Sequence, residues 1–181
     1  MATSHNLLLY HRVPSDMVGT VLYPLNELKS RYPDIYAKRV QKYQGREWLL
    51  TARIPRLNCL WNDVLHLAPI HPQLVTNALR QAGHDPITLG HFVIPSSILK
   101  PDRTVVYWYR TNDRAANHAS EGFSWLAESG LEPLDAVPAA TSEYFAQAAR
   151  DGQRPLAYHR IPHVLYRGSL ETAGLTVVET T

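Results

Sequence analysis

Apolar and polar residues alternate in short bursts along this chain, and turn-forming residues cut the bursts apart. Asn6–Arg12 is a run of Leu and Tyr ended by Pro14 and reads as a strand. Pro33-Asp34 opens a helix through Tyr43, with Gly45 just beyond it and Ile35, Tyr36, Val40 and Tyr43 at helical spacing. Glu47–Ile54 and Asn58–Leu67 read as extended, broken apart by Pro55. A second helix runs from Pro72 to Ala82 and closes at Gly83. His91–Ile94 and Thr104–Arg110 are strands, the latter because Val-Val-Tyr-Trp-Tyr suits a pleated surface. Thr141-Ser142-Glu143 precedes a helix that ends at Arg150 before Gly152. Leu156–Arg160, Val164–Tyr166 and Leu175–Glu179 complete the strands. Strands at both ends and in the middle, with helices between them in no regular alternation, predict one α+β domain over residues 1–181. Its sheets would be mixed or antiparallel, with flanking helices.

Composition adds limits. Hydrophobic residues make up 45% of the 181 and charged residues 19%, enough for a core and unlike a disordered or fibrous chain. No apolar run approaches the roughly 20 residues of a membrane helix, so no membrane association is expected. The N-terminus lacks a basic and apolar leader pattern, and the chain reads as cytoplasmic. One cysteine, Cys59, excludes an internal disulfide and a multi-thiolate zinc site, and a buried, inert thiol is expected there. Nine histidines form no H-x-x-x-H helix and no H-E-x-x-H motif, because Pro162 interrupts His159 and His163, so no metal is expected. Neither G-x-G-x-x-G nor a phosphate-binding P-loop occurs.

The net charge of +2 hides a local excess. Lys29 to Arg56 holds eight basic residues against Asp34 and Glu47, interleaved with Tyr32, Tyr36, Tyr43 and Trp48. Such a segment suits phosphates or a nucleic-acid backbone, or is simply a solvated helix face.

Four strings carry candidate chemistry. Tyr10-His11-Arg12-Val13-Pro14 places an imidazole and a guanidinium at a sheet rim, able to hold phosphate or move a proton. Lys42-Tyr43-Gln44-Gly45-Arg46-Glu47 suits an anionic or planar ligand, or a helix stop with a surface ion pair. Leu57–His66 inserts Asn58, Asn62, Asp63 and His66 into an apolar run, where polar groups must be satisfied or functional. Tyr158-His159-Arg160-Ile161-Pro162 repeats the pattern of residues 10–14, so His159 and His163 are candidates to join His11.

Together, the strand ending Tyr10-His11-Arg12, the following Leu22-Tyr23-Pro24-Leu25, the aromatic string Val105–Ala116 and Pro155–Pro162 resemble ADP-ribosyltransferases of the DarT type. The resemblance implies an ADP-ribosyltransferase-like fold and an enzyme that cleaves the nicotinamide–ribose bond of NAD, as a transferase or a glycohydrolase. NAD would be a substrate held by His11, Arg12, Tyr43, Arg46 and Asn58. The family's late-strand glutamate has no counterpart, since no Glu lies between Glu143 and Glu171. That leaves Asp63 and His66 as the acid/base pair, assisted by His11. Two other classes stay open. One is a non-catalytic RNA- or nucleotide-binding module using Lys29–Arg56. The other is a small NAD-independent lyase or hydrolase using His11, Asp63 and His66.

Overall fold

A computed structural model describes residues 7–111 and 117–181. The sheets form from short strands that meet over long sequence distances. β1 (Leu8–Arg12) pairs antiparallel with β6 (Gly90–Pro95), which also takes β11 (Val177–Glu179), giving the order β1-β6-β11. The second sheet has the order β5-β9-β7-β8, from Leu65–Leu67, His163–Tyr166, Thr104–Tyr107 and Phe123–Trp125, all antiparallel. An isolated bridge, Tyr10 to Ala68, joins the two sheets through paired 2.9 Å hydrogen bonds. Two-stranded pairs complete the set: β2 (Val21–Leu22) with β10 (Leu170–Glu171), and β3 (Arg53–Ile54) with β4 (Cys59–Leu60).

Leu9 and Ile94 from the first sheet meet Leu67, Val106 and Val164 from the second, and this layer is the central core. Full burial of side chains such as Leu9 and Ile94 contributes about 1.5–3 kcal/mol each. The far face of the second sheet carries Val105, Tyr107, Phe123 and Leu165 under Leu25, Leu28, Leu49 and Trp61. Both faces are therefore covered, and every residue of β7 is buried.

The helices follow the punctuation. α1 (Leu25–Arg31) buries Leu25 and Leu28. α2 (Pro33–Val40) starts on Pro33 and passes into a 3₁₀ turn, Gln41–Tyr43, before Gly45 adopts φ +78°. α2 itself buries no residue, so its cations stay at the surface. α3 (Pro72–Gln81) buries Val75, Thr76 and Leu79 on one face, and the His71 ring caps it by accepting the Gln73 N–H. α4 (Ala139–Arg150) places Phe145 against Ile161. No helix among the described residues is long and apolar enough to cross a membrane.

The expected α+β class with antiparallel sheets holds. Several expected strands do not form. Leu156–Arg160 is a series of turns, with Arg160 at φ +62°, a left-handed conformation that ends any strand. Glu47–Leu50 is a 3₁₀ turn rather than the start of an extended run. Asn58–Leu67 is split by a turn in which Asp63 N–H donates to the Leu60 carbonyl while Leu60 N–H donates back to Asp63 Oδ2. β7 stops at Tyr107 because Tyr109 turns to φ +51°. Asn6 of the first strand and residues 112–116 of the aromatic string lie outside the described residues.

Candidate functional site

β1 and the second sheet bring His11 and His66 near one another, and His163 at the start of β9 extends the group. The rings of His66 and His163 lie edge to face at 6.2 Å between centroids. His159 follows in electrostatic reach of His163. The four imidazoles form a row, and the cations of the α2 end border it. Lys42 acts on both His11 and His66, Arg39 acts on His11, and Arg46 acts on His159.

Each of the first three rings has one nitrogen committed to a backbone carbonyl. His11 Nδ1 meets the Arg12 carbonyl at 2.7 Å, His66 Nε2 meets that of Trp61 at 3.0 Å, and His163 Nδ1 meets that of Ile161 at 2.7 Å. A carbonyl only accepts, so each of these nitrogens carries the hydrogen. The remaining nitrogens, His11 Nε2, His66 Nδ1 and His163 Nε2, are then bare lone pairs in the neutral ring. Electrostatics agree with neutrality. Burial pulls His11 and His163 down to about 4, against the carbonyl contacts that raise them. His66 falls well below its ordinary value, through burial first and then through His163 and Lys42. Lys42 is itself lowered, by burial and then by Arg39 and Arg46. Among the described residues, the charged side chains acting on His11, His66, His159 and His163 are all basic. Such a row of neutral rings beside cations attracts an anion.

Tyr109 and Arg160 close the far end; Arg160 belongs to the Tyr158–Pro162 string, while no role at the site was expected of Tyr109. Tyr109 OH stands 3.4 Å from His159 Nδ1 and shares a hydrogen bond with Arg160. Both are non-glycine residues at positive φ, a conformation that costs about 1–3 kcal/mol and persists where its surroundings enforce it. The Tyr-His-Arg repeat was the available signal, but its second copy is a turn and not a strand end.

The expected site residues divide. His11 and His66 belong to the row, and Arg46 borders it. Arg12 alternates to the opposite side of β1 from His11, where it acts on His91 and Tyr158. Asn58 adopts φ +47° and accepts a 2.7 Å hydrogen bond from Arg53, committed away from the row. Tyr43 is buried and donates its hydroxyl to Asn62 Oδ1 at 2.5 Å, and desolvation pushes its pKa up to about 12. It cannot stack on a ligand from there.

Asp63 does not pair with His66. Its Oδ1 accepts from Asn26 Nδ2 and its Oδ2 from Leu60 N–H, both at 2.7 Å. Asn26 N–H also donates to the Asn62 carbonyl at 3.0 Å. Asn62-Asp63 is therefore a staple that ties α1 and the Gln41–Tyr43 turn to the second sheet. Both carboxylate oxygens have structural partners.

The thiol of Cys59 is buried and raised to about 11 by desolvation, the reverse of an activated nucleophile. Among the described residues, no three His, Cys, Asp or Glu side chains converge closely enough to hold a metal ion. In the basic segment, Tyr32, Tyr36 and Trp48 are half-buried against the same core as Tyr43. Its rings are therefore not a free stacking platform.

Comparison with known proteins adds no constraint: no family model, curated protein or solved structure matches the chain.

Proposed function

We propose that the histidine row binds the diphosphate of NAD, and that the protein is an ADP-ribosyltransferase-like enzyme acting through imidazoles. The observation that carries this is the row His11–His66–His163, neutral and bordered by Lys42 and Arg46. The resemblance of the Tyr10-His11-Arg12 strand to one that grips NAD points to the same place. Lys42 and Arg46 hold the phosphates, and His11 holds a ribose hydroxyl. A neutral imidazole, His66 first, takes the proton of the acceptor hydroxyl as its oxygen bonds to the anomeric carbon. The carbon–nitrogen bond to nicotinamide breaks, and its electron pair stays on the departing ring nitrogen. With water as acceptor, the same step is NAD hydrolysis. Burial is the main depression of these histidines, and the phosphates offset the smaller contribution of the neighbouring cations, moving the pKa values upward.

The test is a thermal-shift panel with NAD, ADP-ribose, AMP and a short single-stranded RNA, followed by an assay for released nicotinamide. ADP-ribose and NAD should raise the melting temperature, because a ligand that binds only the native state stabilises it. A shift with RNA alone would favour a nucleic-acid-binding module instead. A second reading, an NAD-independent lyase or hydrolase, rests on the absence of acidic groups among the charges acting on the row. Imidazole acid–base chemistry needs no carboxylate. Binding of AMP or ADP-ribose without nicotinamide release would favour that reading.

A further inference from the structure

At the other end of the second sheet, three arginines line a recess of about 360 Å³ together with Leu57 and Asp102. They come from three separate segments. Arg56 sits in the 3₁₀ turn Pro55–Leu57, Arg103 ends the turn Pro101–Arg103 before β7, and Arg167 follows β9. β7 and β9 pair from Thr104–Tyr166 at this end to Tyr107–His163 at the histidine end. Three residues of strand, about 10 Å, separate the two ends.

Two of the arginines are held in place by the backbone. Arg56 Nε donates to the Phe123 carbonyl at 2.7 Å, and Arg167 Nη1 donates to the Leu57 carbonyl at 3.0 Å. Arg167 N–H also donates to the Arg103 carbonyl at 2.8 Å, which fixes the two neighbouring segments against each other. Each anchor uses one of the five N–H donors of its guanidinium and leaves the others available. Asp102 is the one acid of the lining against three cations. Among the described residues, the ion pairs are Arg31–Glu27 and Arg39–Asp16, so Asp102 does not neutralise the arginines by direct pairing.

All three arginines are exposed, so water and salt screen their mutual repulsion, and an anion that bridges them gains from all three at once. Planar guanidinium forks match phosphate oxygens two at a time. The volume is that of a small-molecule site, for which about 300–1,000 Å³ is usual. We infer that this recess is a second ligand site, separate from the histidine row, that takes the phosphate group of a small phosphorylated molecule. Arg103 supplies the free fork, and Arg56 and Arg167 supply forks already oriented by the backbone.

Calorimetric titration with inorganic pyrophosphate tests this on four proteins: the native chain, Arg103→Ala, Lys42→Ala and Asp102→Asn. The native chain should bind pyrophosphate, and a recess component should persist in Lys42→Ala, whose lesion lies at the histidine row. Arg103→Ala should lose that component by at least about tenfold at an unchanged melting temperature, because among the described residues the Arg103 side chain anchors no backbone group. Asp102→Asn should bind more tightly. Loss of all pyrophosphate binding in Lys42→Ala, or full binding in Arg103→Ala, overturns the inference. So does an oligonucleotide that displaces pyrophosphate from the recess and binds it more tightly, since the recess would then serve a nucleic-acid backbone. Failure of NAD to bind at the histidine row leaves these outcomes unaffected.

Discussion

His11, His66 and His163 share one device: a backbone carbonyl fixes the tautomer, and burial keeps the ring neutral. The device has a consequence for stability. A histidine whose folded pKa lies near 4 and whose unfolded pKa is about 6.5 resists protonation only when folded, so the unfolded chain binds protons first as pH falls. The stabilisation is complete above about pH 6.5 and is lost progressively as pH falls toward 4. Melting temperature measured across that window should decline. His163→Asn, whose amide can still donate to the Ile161 carbonyl, should flatten the decline, and an unaltered slope would remove His163 from it. Asp63 makes the opposite kind of prediction. In Asp63→Asn one acceptor oxygen becomes a donor facing Asn26 Nδ2 or Leu60 N–H, so urea unfolding should show a loss of about 1.5–3 kcal/mol. A variant of native stability but without turnover would return Asp63 to the chemistry. The sequence marked Asp63 as a polar residue that needs a partner, but not which partner. That depended on Asn26, which lies 37 positions away.

Among the elements, those bracketed by proline and glycine were legible. Pro72 and Gly83 delimit α3, and Pro33 and Gly45 enclose α2 with its 3₁₀ extension, because both residues act through local backbone geometry. Extended segments were harder, since a strand exists only where a partner accepts it. Leu156–Arg160 has strand composition, yet its Tyr158 hydroxyl turns to His91 and its Arg160 to Tyr109. β8 was missed because Phe123–Trp125 becomes a strand only by pairing with β7. Two element-level predictions follow from contacts. Tyr43→Phe removes the hydroxyl donated to buried Asn62, whose Nδ2 already has no partner among the described residues, and should cost about 1–3 kcal/mol in denaturant unfolding. A wild-type midpoint would show the staple to be incidental. Gly122 faces the Asn117 carbonyl so closely that an added Cβ would lie 1.8 Å from its oxygen. Gly122→Ala must therefore move backbone next to Trp108, whose N–H donates to the Gly122 carbonyl, and a loss of at least about 1–3 kcal/mol is expected.

At the scale of the whole molecule, an α+β class was readable from the mixture of patterns, whereas the pairing of β1 with β6 and of β7 with β9 was not. The histidine row depends on those pairings. It takes His11 from β1, His66 from β5, His163 from β9 and His159 from the turn before it; the repeated Tyr-His-Arg string pointed to His159 and His163 beside His11, but not to His66. On the proposed reading, this row and the cations beside it hold the diphosphate of a dinucleotide. Calorimetric titration of ADP-ribose at about pH 5.5, repeated in buffers of different ionisation enthalpy, tests it most directly. An anion seated beside neutral imidazoles raises their pKa values, so binding should draw protons from the buffer. Lys42→Ala and Arg46→Ala should each weaken binding by about 1.5–3 kcal/mol, roughly ten- to a hundredfold in Kd. No binding, binding without proton uptake, or equal affinity in the native chain and both variants would contradict the account.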